Sequence, residues 1–285
     1  MPKLPPFAVV NRGQPHSRAQ QLERADHALR TERFAEAEQL AGEVLRASRL
    51  DVAALSILAR ALIAQNRGAE AIMPLEKAAR RGDSRLETLL GAALGGAGRR
   101  KEAIEQLRRT AERRPPFMPA FLELAGQLAK DGSFEQAIAV IESGIALAPQ
   151  NIDMKLNLAR LQLHRNERGK ARATLMSAHE AAPGRPEVLT ALARILLLDG
   201  EYASAADTYR RALGLRPDDA LARADLAACL LEMGQRDAGE ASLRSAVRGG
   251  PQMLGRATYA LVHSSHGRFF FRQSAVAKFL QDKTT

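Results

Sequence analysis

Residues 186–219 read PEVLTALARILLLDGEYASAADTYRRALGLRPDD. Two runs with apolar residues at helical spacing flank Gly200, and Pro217 closes the segment. Advancing 34 residues lays Gly200 on Gly234, Ala212 on Ala246 and Pro217 on Pro251. Stepping back by the same interval reaches Ala171, Ala178 and Pro183, then Ala137 and Pro149, then Ala103 and Pro115. Five units therefore share one register without a gap: 84–117, 118–151, 152–185, 186–219 and 220–253. Two earlier units, 18–51 and 52–83, follow the same pattern, the second being two residues short. Self-similarity at this period marks stacked helix–turn–helix units.

The eighth residue of every unit is small: Ala25, Ala59, Gly91, Ala125, Ala159, Ala193 and Ala227. So is the twentieth: Ala37, Ala71, Ala103, Ala137, Ala171, Ala205 and Gly239. Antiparallel helices approach closely only where no bulky side chain separates them, so these positions mark the crossing. Larger apolar residues fill the seventh position (Leu58, Leu90, Leu124, Leu158, Leu192, Leu226) and the twenty-fourth (Leu75, Leu107, Ile141, Leu175, Tyr209, Leu243). Gly98, Gly132, Gly200 and Gly234 fall between the two helices, where a left-handed residue ends the first one. Proline closes five units and stops the second helix. Ser84 with Glu87, and Ser133 with Gln136, have the spacing of a capping box.

These positions resemble the tetratricopeptide-repeat family over residues 18–253. Its signature of small, small, aromatic, small and proline positions is matched best at Ala193, Ala205, Tyr209, Ala212 and Pro217. The early aromatic position departs from it, holding Leu189, Glu87, Lys155 and Arg223. Arg24 stands where leucine is expected and Pro74 falls inside a second helix, so the first two units are expected to be irregular, with a kink at Pro74. The resemblance implies an all-α, right-handed superhelical solenoid of seven antiparallel helix pairs that binds other proteins.

Composition agrees with closely packed helices. Aromatics make up only 4% of the chain and Trp is absent, while Ala and Leu abound. One cysteine, Cys229, permits no intramolecular disulfide and points to a reducing, cytoplasmic compartment. MPKLPPFAVV at the start lacks the apolar length of a secretory signal, and no window reaches the roughly 18 apolar residues of a membrane span. The abundance of Ala and Arg suggests a GC-rich bacterium. Residues 1–17, Pro-rich, read as a flexible arm. Residues 254–285 read as a degenerate eighth unit that caps the solenoid with Phe269, Phe270, Phe271 and Phe279; the sharper alternative is a docking element. Neither end offers room for a catalytic domain, so the expectation is a chain that is not an enzyme and needs no cofactor.

A formal charge of +10 raises the question of nucleic acid. Lys3 and Arg12 give the front +2, and Arg256, Arg268, Arg272, Lys278 and Lys283 against Asp282 give the back +4. The repeats carry only the remaining +4, and many of their arginines (Arg108, Arg109, Arg113, Arg210, Arg211, Arg244, Arg248) fall late in second helices, where they complement the helix dipole. A basic nucleic-acid groove is not indicated; binding of an anionic polymer or membrane surface by the tails is the alternative. A repeat module serving a separately encoded modifying enzyme is a further one.

The resemblance implies a concave surface lined by first-helix positions 2, 5, 6, 9, 12 and 13. Here these mix signs, with Arg60, Arg85, Lys130, Arg160 and Arg194 against Asp26, Glu123, Asp153, Glu187, Asp225 and Glu232. The candidate partner-binding residues are Arg60, Leu122, Leu156, Arg160, Leu163, Thr190 and Arg194. Arg160 and Arg194 occupy position 9 of adjacent units and could hold a partner's carboxylate, or could pair internally with Asp153, Glu187 or Asp225. No three consecutive units supply the Lys and Asn set of a chaperone-tail clamp: Asn157 is placed for one, but the preceding unit offers Leu122 and Gly126. His16, His27, His164, His179, His263 and His266 form no metal-ligand spacing with Cys229, which reads as a small packed residue. Gly91, Gly95, Gly96 and Gly98 follow no strand and read as close packing or a softened helix end rather than a dinucleotide loop.

Overall fold

The computed structural model describes residues 17–270 and 272–281, with residues 251 and 273 as backbone only. The segment 1–16 and Phe271 lie outside the described residues. Among those described there are sixteen α-helices and no strand. The chain divides into two compact bodies, Met1–Val140 and Ile141–Thr285.

In the N-terminal body the helices are α1 Arg18–Arg30, α2 Phe34–Ala47, α3 Val52–Ala64, α4 Gly68–Ala79, α5 Ser84–Gly96, α6 Arg100–Ala111 and α7 Met118–Lys130. Helix α8, Phe134–Leu147, carries the division. The C-terminal body continues with α9 Ile152–His164, α10 Arg168–Ala181, α11 Pro186–Leu198, α12 Tyr202–Leu215, α13 Ala220–Glu232 and α14 Arg236–Gly249. A 3-10 turn, Pro251–Met253, leads into α15 Leu254–His263 and α16 Gln273–Gln281. The odd-numbered helices from α1 to α13 begin at residues 18, 52, 84, 118, 152, 186 and 220, the first residue of each sequence unit.

Helix starts have a local cause. Ser17, Asp51, Asp83, Asn151 and Asp219 each cap a first helix by accepting a backbone N–H with the side chain. At the same register Phe117 and Arg185 offer no acceptor, and there Pro119 and Pro186 occupy the first turn instead. Two expectations change here. Asp83, not Ser84, caps α5, and Glu87 turns to Arg113. Ser17 belongs to a full capping box with Gln20 rather than to a flexible arm.

Each first helix ends the same way. The residue at the left-handed position is Glu32, Asn66, Gly98, Gly132, Asn166, Gly200 or Gly234, with φ between 58 and 82°. The next residue's N–H reaches back to a carbonyl of the last turn: Arg33 to Ala28, Arg67 to Leu62, Arg99 to Leu94 and so on to Gln235 and Leu230, at 2.8 to 2.9 Å. This bond closes the first helix and turns the chain into the second, independent of side-chain caps.

Within each body, second helices pack against their own first helix and against the next one, and neighbouring first helices touch. The small residues at positions 8 and 20 are buried in every unit, and those at position 24 are buried from Leu75 to Leu243. A Cβ on Gly91 would lie 2.4 Å from Leu107, so glycine sets the approach of α5 and α6. One on Gly95 would lie 2.4 Å from Gln127, which fixes α5 against α7. Helix α4 runs through Pro74 as one continuous helix. At the C-terminal end, Phe270 and Phe279 pack on a core of Leu231, Leu243, Val247, Leu261, Val276 and Leu280, whereas Phe269 is 75% exposed. No described helix is long and apolar enough to cross a membrane.

Candidate functional site

Positions 2, 5, 6 and 9 of a unit are separated by three, four and seven residues, so they share one stripe of a helix. In the N-terminal body the stripes of successive first helices line a groove of about 730 Å³. Helix α1 contributes Leu22, Glu23 and Asp26; α3 contributes Ala53, Ser56, Ile57 and Arg60; α5 contributes Arg85, Thr88 and Leu89. Phe117 and Pro119, at the start of α7, complete the lining. Leu22, Ile57, Leu89 and Phe117 supply its apolar surface. Ser56 and Thr88 satisfy their own hydroxyls on the carbonyls of Val52 and Ser84, both at 2.7 Å.

The charged lining residues come from all three helices: Glu23 and Asp26 from α1, Arg60 from α3 and Arg85 from α5. On α1, Asp26 pairs with Arg30 at 3.0 Å. Arg60 and Arg85 are exposed, and among the described residues their guanidinium groups make neither a hydrogen bond nor an ion pair. Of the residues expected at the site, Arg60 thus lines the groove, and Leu122 is half-buried on α7.

In the C-terminal body, Leu156 and Leu163 are half-buried against Ala159, Ala171, Leu175 and Ile195, so they edge the core. Arg160 is exposed and donates to Asn157 Oδ1 at 2.8 Å. Arg194 is exposed, with no hydrogen bond or ion pair among the described residues, and the Thr190 hydroxyl is buried without a partner among them. Internal pairing of Arg160 and Arg194 with Asp153, Glu187 or Asp225 does not occur, because other arginines hold those carboxylates. Arg185 takes Asp153 at 2.5 Å, Arg185 and Arg216 each take Glu187 at 3.2 Å, and Arg256 takes Asp225 at 2.8 Å. Tyr209, fully buried, also donates to Asp225 at 3.2 Å; burial, then the Asp225 charge, pushes its phenol pKa upward. A second groove of about 640 Å³ lies between α11, α13 and α15, with Leu198, Tyr202, Ala228, Glu232 and Tyr259 among its lining.

The helix-dipole explanation of the arginines needs revision as well. Arg108, Arg109 and Arg248 lie in last turns, but Arg113 falls beyond α6 and pairs with Glu87, and Arg210 pairs with Asp207. Arg244 lies 5.1 Å from the centroid of Phe279. Cys229 is buried among Ala193, Ala205, Tyr209 and Leu226, and burial, with the nearby Asp225 charge, pushes its thiol pKa up to about 12. His263 stacks on Tyr259 with ring centroids 4.3 Å apart.

Leu22, Ile57, Leu89 and Phe117 were not singled out by sequence reasoning, and Arg85 was noted only as a charged position. The signal was present: positions 5 and 6 of the first three units read Leu22-Glu23, Ser56-Ile57 and Thr88-Leu89, an apolar residue in each.

Sequence comparison settles the class of protein. Tetratricopeptide-repeat profiles match residues 22–85 and 88–152, and again 128–195 and 196–257. The chain belongs to the tetratricopeptide-repeat family. Cellulose synthase operon protein C of Pseudomonas fluorescens is 35% identical over 92 residues, which are 32% of this chain and 7% of that protein. Among solved structures, the APC/C hetero-tetramer Cut9-Hcn1 superposes with a TM-score of 0.61 at 15% identity, over 93% of this chain and 56% of that one. Pseudomonas aeruginosa pilF gives 0.52 at 18% identity, over 70% and 92%. The C-terminal part of a repeat-containing protein from Cytophaga hutchinsonii gives 0.54 at 17%, over 81% and 95%. At these identities the likeness is one of fold.

Proposed function

We propose that this chain is a non-catalytic interaction scaffold that takes a peptide or helix of a partner protein on its first-helix face. The observation that carries this reading is the 730 Å³ groove, whose lining comes from positions 2, 5, 6 and 9 of α1, α3 and α5 and the start of α7. An apolar surface with charged residues among its lining suits a ligand anchored by a few apolar side chains and oriented by charge. Leu122 on α7 is half-buried in the N-terminal body, and in the C-terminal body the first helices α9 and α11 carry exposed Arg160 and Arg194 beside half-buried Leu156, Leu163 and Thr190. A cytoplasmic setting accords with the unpaired, buried Cys229.

Binding of anionic polymers by the tails draws less support, since two of the C-terminal cations, Arg256 and Arg268, are held by Asp225 and Glu240. The test is affinity purification from nuclease-treated lysate with mass spectrometry, wild type beside Ala53→Trp, which fills the groove without changing charge. A protein retained by wild type and lost with Ala53→Trp supports the reading. Identical sets of proteins from both chains contradict it.

A further inference from the structure

We propose that the groove of the N-terminal body selects a dipolar peptide, with a base at one end of a short apolar stretch and a carboxylate at the other. This rests on the peptide-binding reading above and adds the ligand's chemistry to it.

Arg60, at position 9 of α3, and Arg85, at position 2 of α5, enter the same groove from adjacent helices. Some other arginines of this body are matched to carboxylates, among them Arg18 to Asp51 at 2.5 Å, Arg67 to Glu38 and Glu70 at 2.7 Å, and Arg113 to Glu87 at 2.5 Å. Arg60 and Arg85 have no such match among the described residues, so their planar donors are free for an incoming carboxylate, which a guanidinium binds with two parallel hydrogen bonds.

The α1 part of the lining has the opposite sign. Glu23 and Asp26 on α1 line the groove, and a single partner, Arg30, engages Asp26. Helices α1 and α5 flank α3. Packed helix axes lie roughly 8–10 Å apart, so the groove from α1 to α5 spans about 20 Å. That is about six residues of extended chain. Glu23 and Asp26 therefore hold a base over α1, and Arg60 and Arg85 an acid over α3 and α5, while Leu22, Ile57 and Leu89 on the same three helices receive apolar side chains. Reversing the peptide sets like charges against each other, which gives the groove a preferred chain direction.

The experiment is selection of a phage-displayed library of random peptides, about 12 residues long so as to exceed the span, on the immobilised full chain. Selected peptides are then titrated against wild type, Arg60→Glu/Arg85→Glu, the milder Arg60→Gln/Arg85→Gln, and Ala53→Trp, each first shown to melt like wild type. The expected result is enrichment of an acid and a base separated by apolar residues. Affinity should fall at least about tenfold in both double variants, and the charge-reversed variant should select a base in place of the acid. Peptides without an acid, or affinities within about twofold of wild type in the double variants, overturn the dipolar ligand while leaving the groove if Ala53→Trp still abolishes binding. Undiminished binding to Ala53→Trp, or no enrichment on wild type, overturns the groove reading itself.

Discussion

Arg268, in the segment after α15, grips Glu240 of α14 with Nε to Oε1 at 2.8 Å and Nη2 to Oε2 at 3.2 Å. Glu240 is 4% exposed, and the same guanidinium lies 4.9 Å from the centroid of Phe279 on α16. One side chain therefore satisfies a buried carboxylate and also ties the last helix to the body. Removing it strands the charge, which costs far more than a surface ion pair contributes. Arg268→Ala should lower stability by about 2–3 kcal/mol in chemical denaturation. Glu240→Gln introduced alongside it should recover part of that loss, because a neutral amide is cheaper to leave buried.

Three glycines of α5 should respond differently to one added methyl group. A Cβ on Gly91 meets Leu107, and one on Gly95 meets Gln127, both at 2.4 Å, whereas Gly96 has nothing within 4 Å. Gly91→Ala should destabilise by about 1–3 kcal/mol through overpacking against fully buried Leu107, and Gly95→Ala by less, because the amide end of Gln127 can turn away. Gly96→Ala should stabilise by about 0.4–1 kcal/mol by restricting the unfolded chain. Thermal melts of the three single variants check the order.

The left-handed position that ends each first helix holds residues of unequal fitness. Glu32, with φ of 59°, carries a side chain that this conformation disfavours, and Asn66 and Asn166 carry one it tolerates better. Glu32→Gly should raise stability by about 1 kcal/mol, and Asn66→Gly by less. Gly132→Ala, at φ 82°, should lower it by a similar amount. Urea midpoints at constant slope report these changes.

Asp51 gives a pH dependence of known sign. Burial works to raise its pKa, but hydrogen bonds from Arg18 and from the Ala54 N–H bring it below the ordinary carboxylate value. A carboxylate depressed in the folded state contributes stability above its unfolded pKa of about 4 and loses it as pH falls through the folded value. The melting temperature of wild type should therefore fall more steeply below about pH 4 than that of Asp51→Asn, which starts lower and has less to lose. Parallel acid profiles would contradict this role for the pair.

The fold was legible because one signal repeats. Small residues at positions 8 and 20 and the turn residue between the helices recur at a fixed period, and each occurrence reinforces the others. Even where the turn residue is Glu32 or Asn166 rather than glycine, the chain takes the left-handed conformation, since the bond from the next N–H to the preceding helix is the same. Caps were less legible: Asp83 and Ser84 are adjacent acceptors, and which one starts α5 depends on backbone angles that sequence spacing does not fix. Asp153, Glu187 and Asp225 are each held by an arginine 29 to 32 residues further along the chain, Arg185, Arg216 and Arg256, and Arg185 reaches Glu187 as well. Positions 2, 5, 6 and 9 recur in every unit, so their spacing marks the lining stripe of each first helix without choosing among the units.

Hydrogen exchange of the full chain, alone and saturated with a selected dipolar peptide, tests the location of binding most directly. Slowed exchange should concentrate in α1, α3, α5 and the start of α7, around Leu22, Ile57, Leu89 and Phe117, and should vanish with Ala53→Trp. Protection centred on α15 and α16, or equal protection in the variant, would place the binding surface elsewhere and contradict the groove.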